Sequence, residues 1–374
     1  MIGPEFREIQ IDLGALRRNV SHLKTVIGVQ HLMIVVKADA YGHGMVPCAR
    51  TAVDSGADWL GVADVQEALM LRQAGIQVPI LAWLHSSRDD FQEALANRVT
   101  IGVSSLAQLD DVANASYAWT DGPAPIHLKL DTGLSRNGIA PEEWRKVFER
   151  AQYHEGDGAI VVEGIFSHLA GAGPQADLSQ HVLFEEGIAH ARDAGLNPSI
   201  IHIAATATAL TSTSMRYNMV RVGIGAYGVS PDDTTPVADL GLTPVMTVRS
   251  RVAAVRKVPA GVGVSYEYDY VTPQATTLAL VPLGYAEGIP RSASNSAPVN
   301  VAGQVRTISG RVAMDQFIVD MGSEWVTVGD PVVVFGDPKR GHPSASDFAR
   351  ACGTIGYEIV TRMGGRCVRV YVEL

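Results

Sequence analysis

The chain is poor in the features that mark several protein classes. Across 374 residues it has three cysteines, Cys48, Cys352 and Cys367, an odd number without Cys-x-x-Cys spacing. That pattern argues against a disulfide framework or a cysteine zinc site and points to free thiols in a reducing compartment, hence the cytoplasm. No metal site is expected. No Lys/Arg run exceeds a pair such as Arg17-Arg18, and the net charge is -9, so neither nucleic acid nor an anionic membrane is the expected partner. No apolar stretch approaches the roughly 20 residues of a membrane span. The start, Met1 to Glu8, lacks a basic segment followed by an apolar one, so no secretory leader is read there. Internal repeats and low-complexity tracts are also lacking.

What is present is a large apolar fraction, 47%, enough to bury a sizeable core and to bind small solutes rather than polymers. Apolar runs alternate with amphipathic helical patterns. A helix over Leu13 to Val26 precedes a strand over Leu32 to Ala38, followed by strands over Trp59 to Val62, Pro79 to Leu84, Val99 to Val103, Ile126 to Asp131, Val161 to His168, Ser199 to Ala204 and Met219 to Tyr227. Helices over Val65 to Ala74, Ala107 to Asn114, Pro141 to Gln152 and Ser179 to Ala194 separate several of them. Eight strands in this rhythm predict a parallel (β/α)8 barrel, although an open doubly wound sheet shares the rhythm.

Pro231 to Pro236 breaks the pattern, and the remainder is rich in Val, Thr and Gly, which predicts a mainly β domain. Its strands are expected at Pro244 to Val258, Thr276 to Pro282, Val299 to Ile308, Gln316 to Met321, Pro331 to Phe335 and Cys367 to Val372, with one helix opened by Ser344 or Ser346. The division is therefore residues 1–11 as a lead or strand packing on the β domain, 12–235 as the barrel and 236–374 as the β domain. Met1 to Phe6 is assigned no function.

Lys37 stands out at the end of the first apolar strand. An ammonium there is costly unless paired, neutralised or consumed in a covalent bond. Taken alone, Lys37-Ala38-Asp39 reads as a strand-end salt bridge. Its place at the carboxyl end of a barrel strand, with Tyr41-Gly42-His43-Gly44 as a permissive loop, favours chemistry instead. Desolvation lowers a lysine's pKa and yields the neutral amine that condensation with a carbonyl requires.

Val35-Val36-Lys37-Ala38-Asp39-Ala40-Tyr41-Gly42-His43-Gly44 resembles the cofactor-lysine signature of the bacterial alanine racemases. The resemblance extends through Leu128 to Gly133 with Arg136, Asn218 to Arg221, Gly263 to Tyr266, Gly284 to Gly288 and Met314-Asp315-Gln316. It implies an amino-terminal barrel, a carboxyl-terminal β domain, pyridoxal 5'-phosphate on Lys37, and a homodimer that interconverts L- and D-alanine, the latter for peptidoglycan. Racemisation removes a proton from one face of a planar cofactor adduct and returns one to the other, which two bases do most simply. The resemblance assigns these to Lys37 and Tyr266, the tyrosine coming from the second subunit. A phenol needs cationic or hydrogen-bonding neighbours to act as a base at neutral pH, and the resemblance makes His168 their supplier and its link to Arg221.

Arg221, which the resemblance places beneath the cofactor ring, donates hydrogen bonds but does not readily give up a proton. It therefore weakens the ring as an electron sink and disfavours transamination. Phosphate is expected near the loops after strands seven and eight, at the Gly223 and Ile224 amides and the Thr206 hydroxyl, with Tyr41 and Tyr357 added by the resemblance. Arg136 is implied near the cofactor's phenolic oxygen and the substrate carboxylate, with Met314 of the other chain also on the carboxylate. Tyr285 and Asp315 would line the entrance. Lys129 alternates with His127 and Asp131 in a polar row, readable as a buried ion pair; the family often carbamylates this lysine.

The chain departs from the family pattern at Ala205, Ala313 and Gly356, and has Glu267-Tyr268-Asp269 after Tyr266. Ala205 removes a side-chain hydrogen-bonding group and Ala313 changes volume, so a racemase of broader or different amino acid preference is one rival. A decarboxylase on the same barrel would need a carboxylate in place of Arg221. A non-enzymatic pyridoxal phosphate-binding barrel would not need the β domain with Tyr266.

Overall fold

In the computed structural model of the chain, residues 6–86, 89–119 and 121–374 are described; the first five residues of the lead lie outside them. The chain runs β1 (Glu8–Asp12), α1 (Leu13–Ile27), β2 (His31–Val35), α2 (Lys37–Tyr41), α3 (Met45–Asp54), β3 (Trp59–Val62), α4 (Val65–Gln73), β4 (Ile80–Ala82), α5 (Phe91–Ala96) and β5 (Val99–Val103). It continues through α6 (Leu106–Ser116), β6 (Ala124–Lys129), α7 (Trp144–Gly156), β7 (Ile160–Phe166), α8 (Pro174–Asp193), β8 (Ile200–His202), α9 (Thr206–Thr211) and β9 (Met219–Val222). Of the described residues, those in 20–38 and 49–223 form one compact unit and those in 6–19, 39–48 and 224–374 form another.

The first unit is an eight-stranded, all-parallel, nearly closed barrel in the order β8-β7-β6-β5-β4-β3-β2-β9. The Arg221 N–H donates to Ala204 O at 3.0 Å, tying the two end strands. Strands such as β3 and β5 are buried throughout, as parallel strands covered on both faces must be, which is why their sequences read as continuous apolar runs. The helices start where side chains cap them: Asp64, Asp90 and Ser105 accept the backbone N–H groups of Glu67, Glu93 and Gln108, each cap contributing about 1 kcal/mol. Met33, Trp59, Leu81, Phe166, Ile200 and Met219 fill the barrel, with Trp83 packed on them. Gly61 and Gly102 are required there, since a Cβ on Gly61 would meet the Trp83 ring at 2.7 Å and one on Gly102 the Trp83 Cβ at 3.0 Å.

Two barrel-strand ends fall furthest from the sequence reading. β2 ends at Val35, short of Lys37, and Ala38 to Tyr41 then turn with positive φ. β9 ends at Val222, and 224–227 form a 3-10 turn rather than strand.

The second unit continues with β10 (Met246–Arg251), β11 (Ala254–Val258), β12 (Gly263–Val264), β13 (Tyr270–Val271), β14 (Thr276–Val281), β15 (Pro298–Val301), β16 (Gln304–Thr307), β17 (Phe317–Asp320) and β18 (Pro331–Phe335). It ends with α10 (Ala345–Ala351), α11 (Gly356–Arg362) and β19 (Val368–Val372). A six-stranded sheet, β16-β15-β18-β10-β1-β19, carries its core, beside sheets of three and two strands. β1 pairs antiparallel with β10 and parallel with β19, burying Ile9 and Ile11. The expected strand at Pro244 to Val258 is two strands, and that at Val299 to Ile308 is a hairpin turning at Ala302-Gly303, both at positive φ. Ser344 caps α10 in a capping box with Asp347. No helix of the described residues is long and apolar enough to cross a membrane.

Candidate active site

In α2, which carries Lys37, residues Ala38, Asp39, Ala40 and Tyr41 all have φ between 52° and 55°, a left-handed turn that costs L-residues roughly 1–2 kcal/mol each. Such strain persists only where the surroundings over-determine it. In the barrel unit, the Glu67 carboxylate accepts the Ala38 N–H at 2.6 Å and the Ala63 N–H at 2.8 Å, fixing the peptide directly after Lys37. In the second unit, Asp39 accepts the Met45 N–H at 2.8 Å and pairs with Arg369 at 3.0 Å, while Arg369 also donates to Gly42 O. Arg369 is therefore the ion-pair partner of Asp39, in place of the strand-end bridge to Lys37. The buried His43 has Nδ1 within 2.9 Å of both Ala40 O and Tyr41 O, so this nitrogen carries a proton and donates. Gly42 and Gly44 have positive φ, and a Cβ on Gly44 would meet the Tyr371 hydroxyl.

The barrel unit gathers cations. The electrostatic neighbours of Lys37 are Arg136, Glu67 and Arg221; those of Lys129 are Arg221, Arg136, Lys37 and Asp131. Burial, reinforced by Arg136 and Arg221, lowers the pKa of Lys37 against the opposing pull of Glu67. Burial and the same arginines bring Lys129 down to about 8. Among the described residues no carboxylate lies within ion-pair distance of either lysine, so the buried ion pair read for Lys129 does not form. Asp131 instead accepts the Gly133 and Ser135 N–H groups at 3.0 Å. Lys129 lies 5.9 Å from the Phe166 ring centroid, and Lys37 6.0 Å from that of Trp83.

Arg221 is buried on β9, and burial draws its pKa to about 10. Its NH1 donates to His202 Nδ1 at 2.9 Å and His202 O at 3.2 Å; its NH2 donates to Ser167 O at 2.7 Å, Ile203 O at 3.0 Å and His168 Nδ1 at 3.2 Å. An arginine so fully bonded is fixed in place as a donor. Burial and the surrounding cations hold His168 down near pKa 3, so it is a neutral imidazole whose Nδ1 accepts from Arg221. Of the two roles considered for it, hydrogen bonding remains and cationic support does not. The buried Thr206 hydroxyl accepts the Gly223 N–H at 3.2 Å, joining two of the residues expected to hold phosphate; Ile224, the third, is buried in the second unit.

In the second unit Tyr41 packs against Tyr227 and Tyr357, with ring centroids 5.2 and 6.3 Å apart. Burial raises the Tyr41 phenol, and burial with nearby Asp233 raises Tyr357 to about 12, so both remain hydrogen-bond donors. The departure at Gly356 has a packing reason: a Cβ there would meet Asp233 Oδ1 at 2.8 Å, and that oxygen accepts the Gly356 N–H at 3.0 Å.

Tyr266 is 67% exposed on a turn where Ser265, Glu267 and Tyr268 all have positive φ. Arg311 braces this turn by pairing with Glu267 and Asp269. Tyr285 and Met314 are also exposed, and the Ala286 N–H donates to Met314 O at 2.8 Å. Gly284 lets these two loops touch, since a Cβ would meet Ala313 O and Asp315 N at 2.3 and 2.4 Å. The structure thus groups Lys37, Lys129, Arg136, His168, Arg221, Thr206 and Gly223 in the barrel unit, and Tyr41, Tyr266, Tyr285, Met314, Asp315 and Tyr357 in the other.

Sequence reasoning passed over Trp83 and the clamp by Glu67. The glycines Gly61 and Gly102 on neighbouring strands were the available trace of the first. Asp64-Val65-Gln66-Glu67, a helix-start pattern, was that of the second. Among the described residues no group of three His, Cys, Asp or Glu side chains could hold a metal.

Residues 11–231 match the family defined as alanine racemase, N-terminal domain, and residues 245–371 match alanine racemase, C-terminal domain. The alanine racemase of Salinispora tropica is 47% identical over 97% of this chain and 98% of its own length. That of Streptomyces coelicolor is 48% identical over 97% and 95%. The crystal structure of alanine racemase from a D-cycloserine-producing Streptomyces lavendulae superposes with a TM-score of 0.96 at 45% identity, covering 99% of this chain and 98% of that one.

Proposed function

Because the chain belongs to the alanine racemase family of isomerases, we propose that it interconverts L- and D-alanine with pyridoxal 5'-phosphate held covalently on Lys37, as a cytoplasmic homodimer that supplies D-alanine for peptidoglycan. The carrying observation is the half-buried Lys37 amine, its pKa lowered, among the cations Lys129, Arg136 and Arg221 without a carboxylate in ion-pair distance of either lysine among the described residues. A site with that surplus fits a phosphate-bearing aldehyde and an amino acid carboxylate. A lysine already inclined to lose its proton fits a carbonyl nucleophile.

When bound, pyridoxal phosphate condenses with an amino group and acidifies the adjacent Cα–H. The residues supply the rest. Thr206 with the Gly223 and Ile224 amides, and the phenols of Tyr41 and Tyr357, would hold the phosphate. Arg136 would bind the phenolic oxygen and, with Met314 of the second copy, the substrate carboxylate. Tyr285 and Asp315 would line the entrance. Lys37, released by the incoming substrate amine, would carry the proton at one face of Cα, and Tyr266 of the second copy would carry it at the other, supported by His168 as a neutral hydrogen-bonding group. Exposure of Tyr266, Tyr268, Tyr285 and Met314 supports their being covered by a second copy.

Arg221, fixed as a donor by five hydrogen bonds, would offer N–H to a pyridine nitrogen without protonating it. Such a donor would favour charge staying at Cα and the proton returning there. Carbamylation of Lys129 would replace a buried cation facing three others with an anion that orients Arg136, and a lysine with pKa about 8 has enough neutral amine to react with carbon dioxide. Following the loss of optical rotation of a panel of L-amino acids, with and without added pyridoxal phosphate, tests the reading: alanine should racemise fastest and only with the cofactor. Equal rates across larger side chains would replace alanine by a broad substrate class, the rival that Ala205 and Ala313 raise.

A further inference from the structure

Arg221 rests on a row of buried side chains reaching to the rim of the barrel. His202, at the end of β8, accepts from Arg221 NH1 through Nδ1, and its Nε2 lies 2.8 Å from His127 Nδ1 on β6. His127 and His202 are both completely buried. The other nitrogen of His127, Nε2, is buried with no hydrogen-bond partner among the described residues. A carboxylate oxygen, Glu163 Oε2, lies 3.7 Å away, outside the usual N–H···O range of about 2.7–3.2 Å and within reach of electrostatic attraction.

Two backbone features place Glu163 there. Ile126 pairs with Val162, but His127 pairs with Gly164, so Glu163 is the extra residue of a β-bulge in β7, a device that re-aims a side chain. Gly164, opposite His127, leaves room for the imidazole, since a Cβ would meet its ring at 2.5 Å.

The direction of every bond follows from Arg221. A guanidinium has no acceptor, so His202 Nδ1 is bare and its proton is on Nε2. That proton is donated to His127 Nδ1, which must then also be bare. The proton of His127 is therefore on Nε2, aimed at Glu163. A double protonation of either ring would set two donors face to face. Burial together with Arg221 also lowers the pKa of both rings, against the opposing pull of Glu163 on His127.

We propose that Glu163 and His127 are positioning residues that act through His202 on Arg221, the carboxylate serving as the terminal acceptor that fixes one tautomer in both histidines and thereby locks the arginine as a donor. Without that acceptor, the tautomer with the proton on His127 Nδ1 becomes competitive. His202 would then have to present Nδ1–H to Arg221, and the guanidinium would lose one of its five acceptors. The consequence for the reaction rests on the proposed racemisation; the tautomers do not.

The test is 15N spectroscopy of histidine-labelled protein, with and without pyridoxal phosphate, beside racemisation kinetics. In the unmodified protein the Nδ1 atoms of His127 and His202 should resonate as unprotonated nitrogens and both Nε2 atoms as protonated ones. Glu163→Leu should mix the tautomers of both rings and lower kcat about tenfold with little change in KM, a coupling of ordinary size between neighbouring polar groups. Glu163→Gln, which keeps an acceptor oxygen, should restore both readouts. A protonated Nδ1 in the unmodified protein, or a Glu163→Leu protein with unmixed tautomers, would overturn the proposal. If alanine proved not to be the substrate, the tautomer pattern would still stand or fall by itself.

Discussion

In the barrel unit the candidate side chains run from buried Arg221, Lys129 and Thr206 through half-buried Lys37 and His168 to exposed Arg136. Arg221 makes five hydrogen bonds, His168 is neutral because burial and cations surround it, and the lysines are depressed by desolvation. In the β-rich unit, Tyr266, Tyr285 and Met314 stand exposed on braced turns, while Tyr41 and Tyr357 are half-buried phenols whose protons are retained. The first arrangement tunes the charge state of groups already in place. The second presents side chains at the surface of the unit, on turns held by other residues.

That contrast is sharpest at the two proposed bases. Lys37→Ala should abolish covalent attachment of pyridoxal phosphate and lower racemisation by about three orders of magnitude or more, checked by borohydride trapping and peptide mapping. A retained adduct on another lysine would break the assignment. Tyr266→Phe should cost about 10²–10⁴-fold, and only on one face: isotope exchange from L-alanine should fall more than from D-alanine. Equal losses would show that the exposed tyrosine acts on both faces or on neither.

Arg221→Glu should lower racemisation by about 10²-fold and raise pyridoxamine phosphate formation, because a carboxylic acid can protonate the ring nitrogen where an arginine does not. Unchanged side-product would separate the arginine's burial from its chemistry.

The smallest effect concerns stability. With Lys129 at about pKa 8 in the folded chain against an ordinary 10.5, the unfolded chain binds the extra proton between those values, so stability rises with pH across that window. At neutral pH the buried ammonium is a net cost. Lys129→Met should therefore stabilise cofactor-free protein by about 1–2 kcal/mol at pH 7 after allowance for solvent access, and the gain should shrink by pH 10. Urea unfolding at both pH values measures it, and bicarbonate should narrow the gap by stabilising the unmodified chain.

Much of the barrel was legible because parallel strands buried on both faces must be apolar along their length; β3 and β5 fall where their runs begin and end. Strand ends were less so. Nothing in the types Ala38, Asp39, Ala40 and Tyr41 announces four successive left-handed residues, since none is glycine and the turn is held by Glu67 and Arg369 from elsewhere in the chain and closed locally by His43. The hairpin at Ala302-Gly303 was hidden by the continuity of its β-forming residues. Asp39 was read beside its sequence neighbour Lys37, yet its ion pair is with Arg369, 330 positions away; periodicity carries no information about such pairings.

The sequence by itself determined the family, the eight-strand rhythm, the change to β structure near residue 235 and the lysine that stands out from its strand, because each is written in contiguous residue types. Tertiary structure alone decided the charge states: a neutral His168, a Lys129 near pKa 8 and an Arg221 held by five acceptors. Those depend on desolvation and on which charges come within a few ångströms, quantities set by packing between strands far apart in the chain.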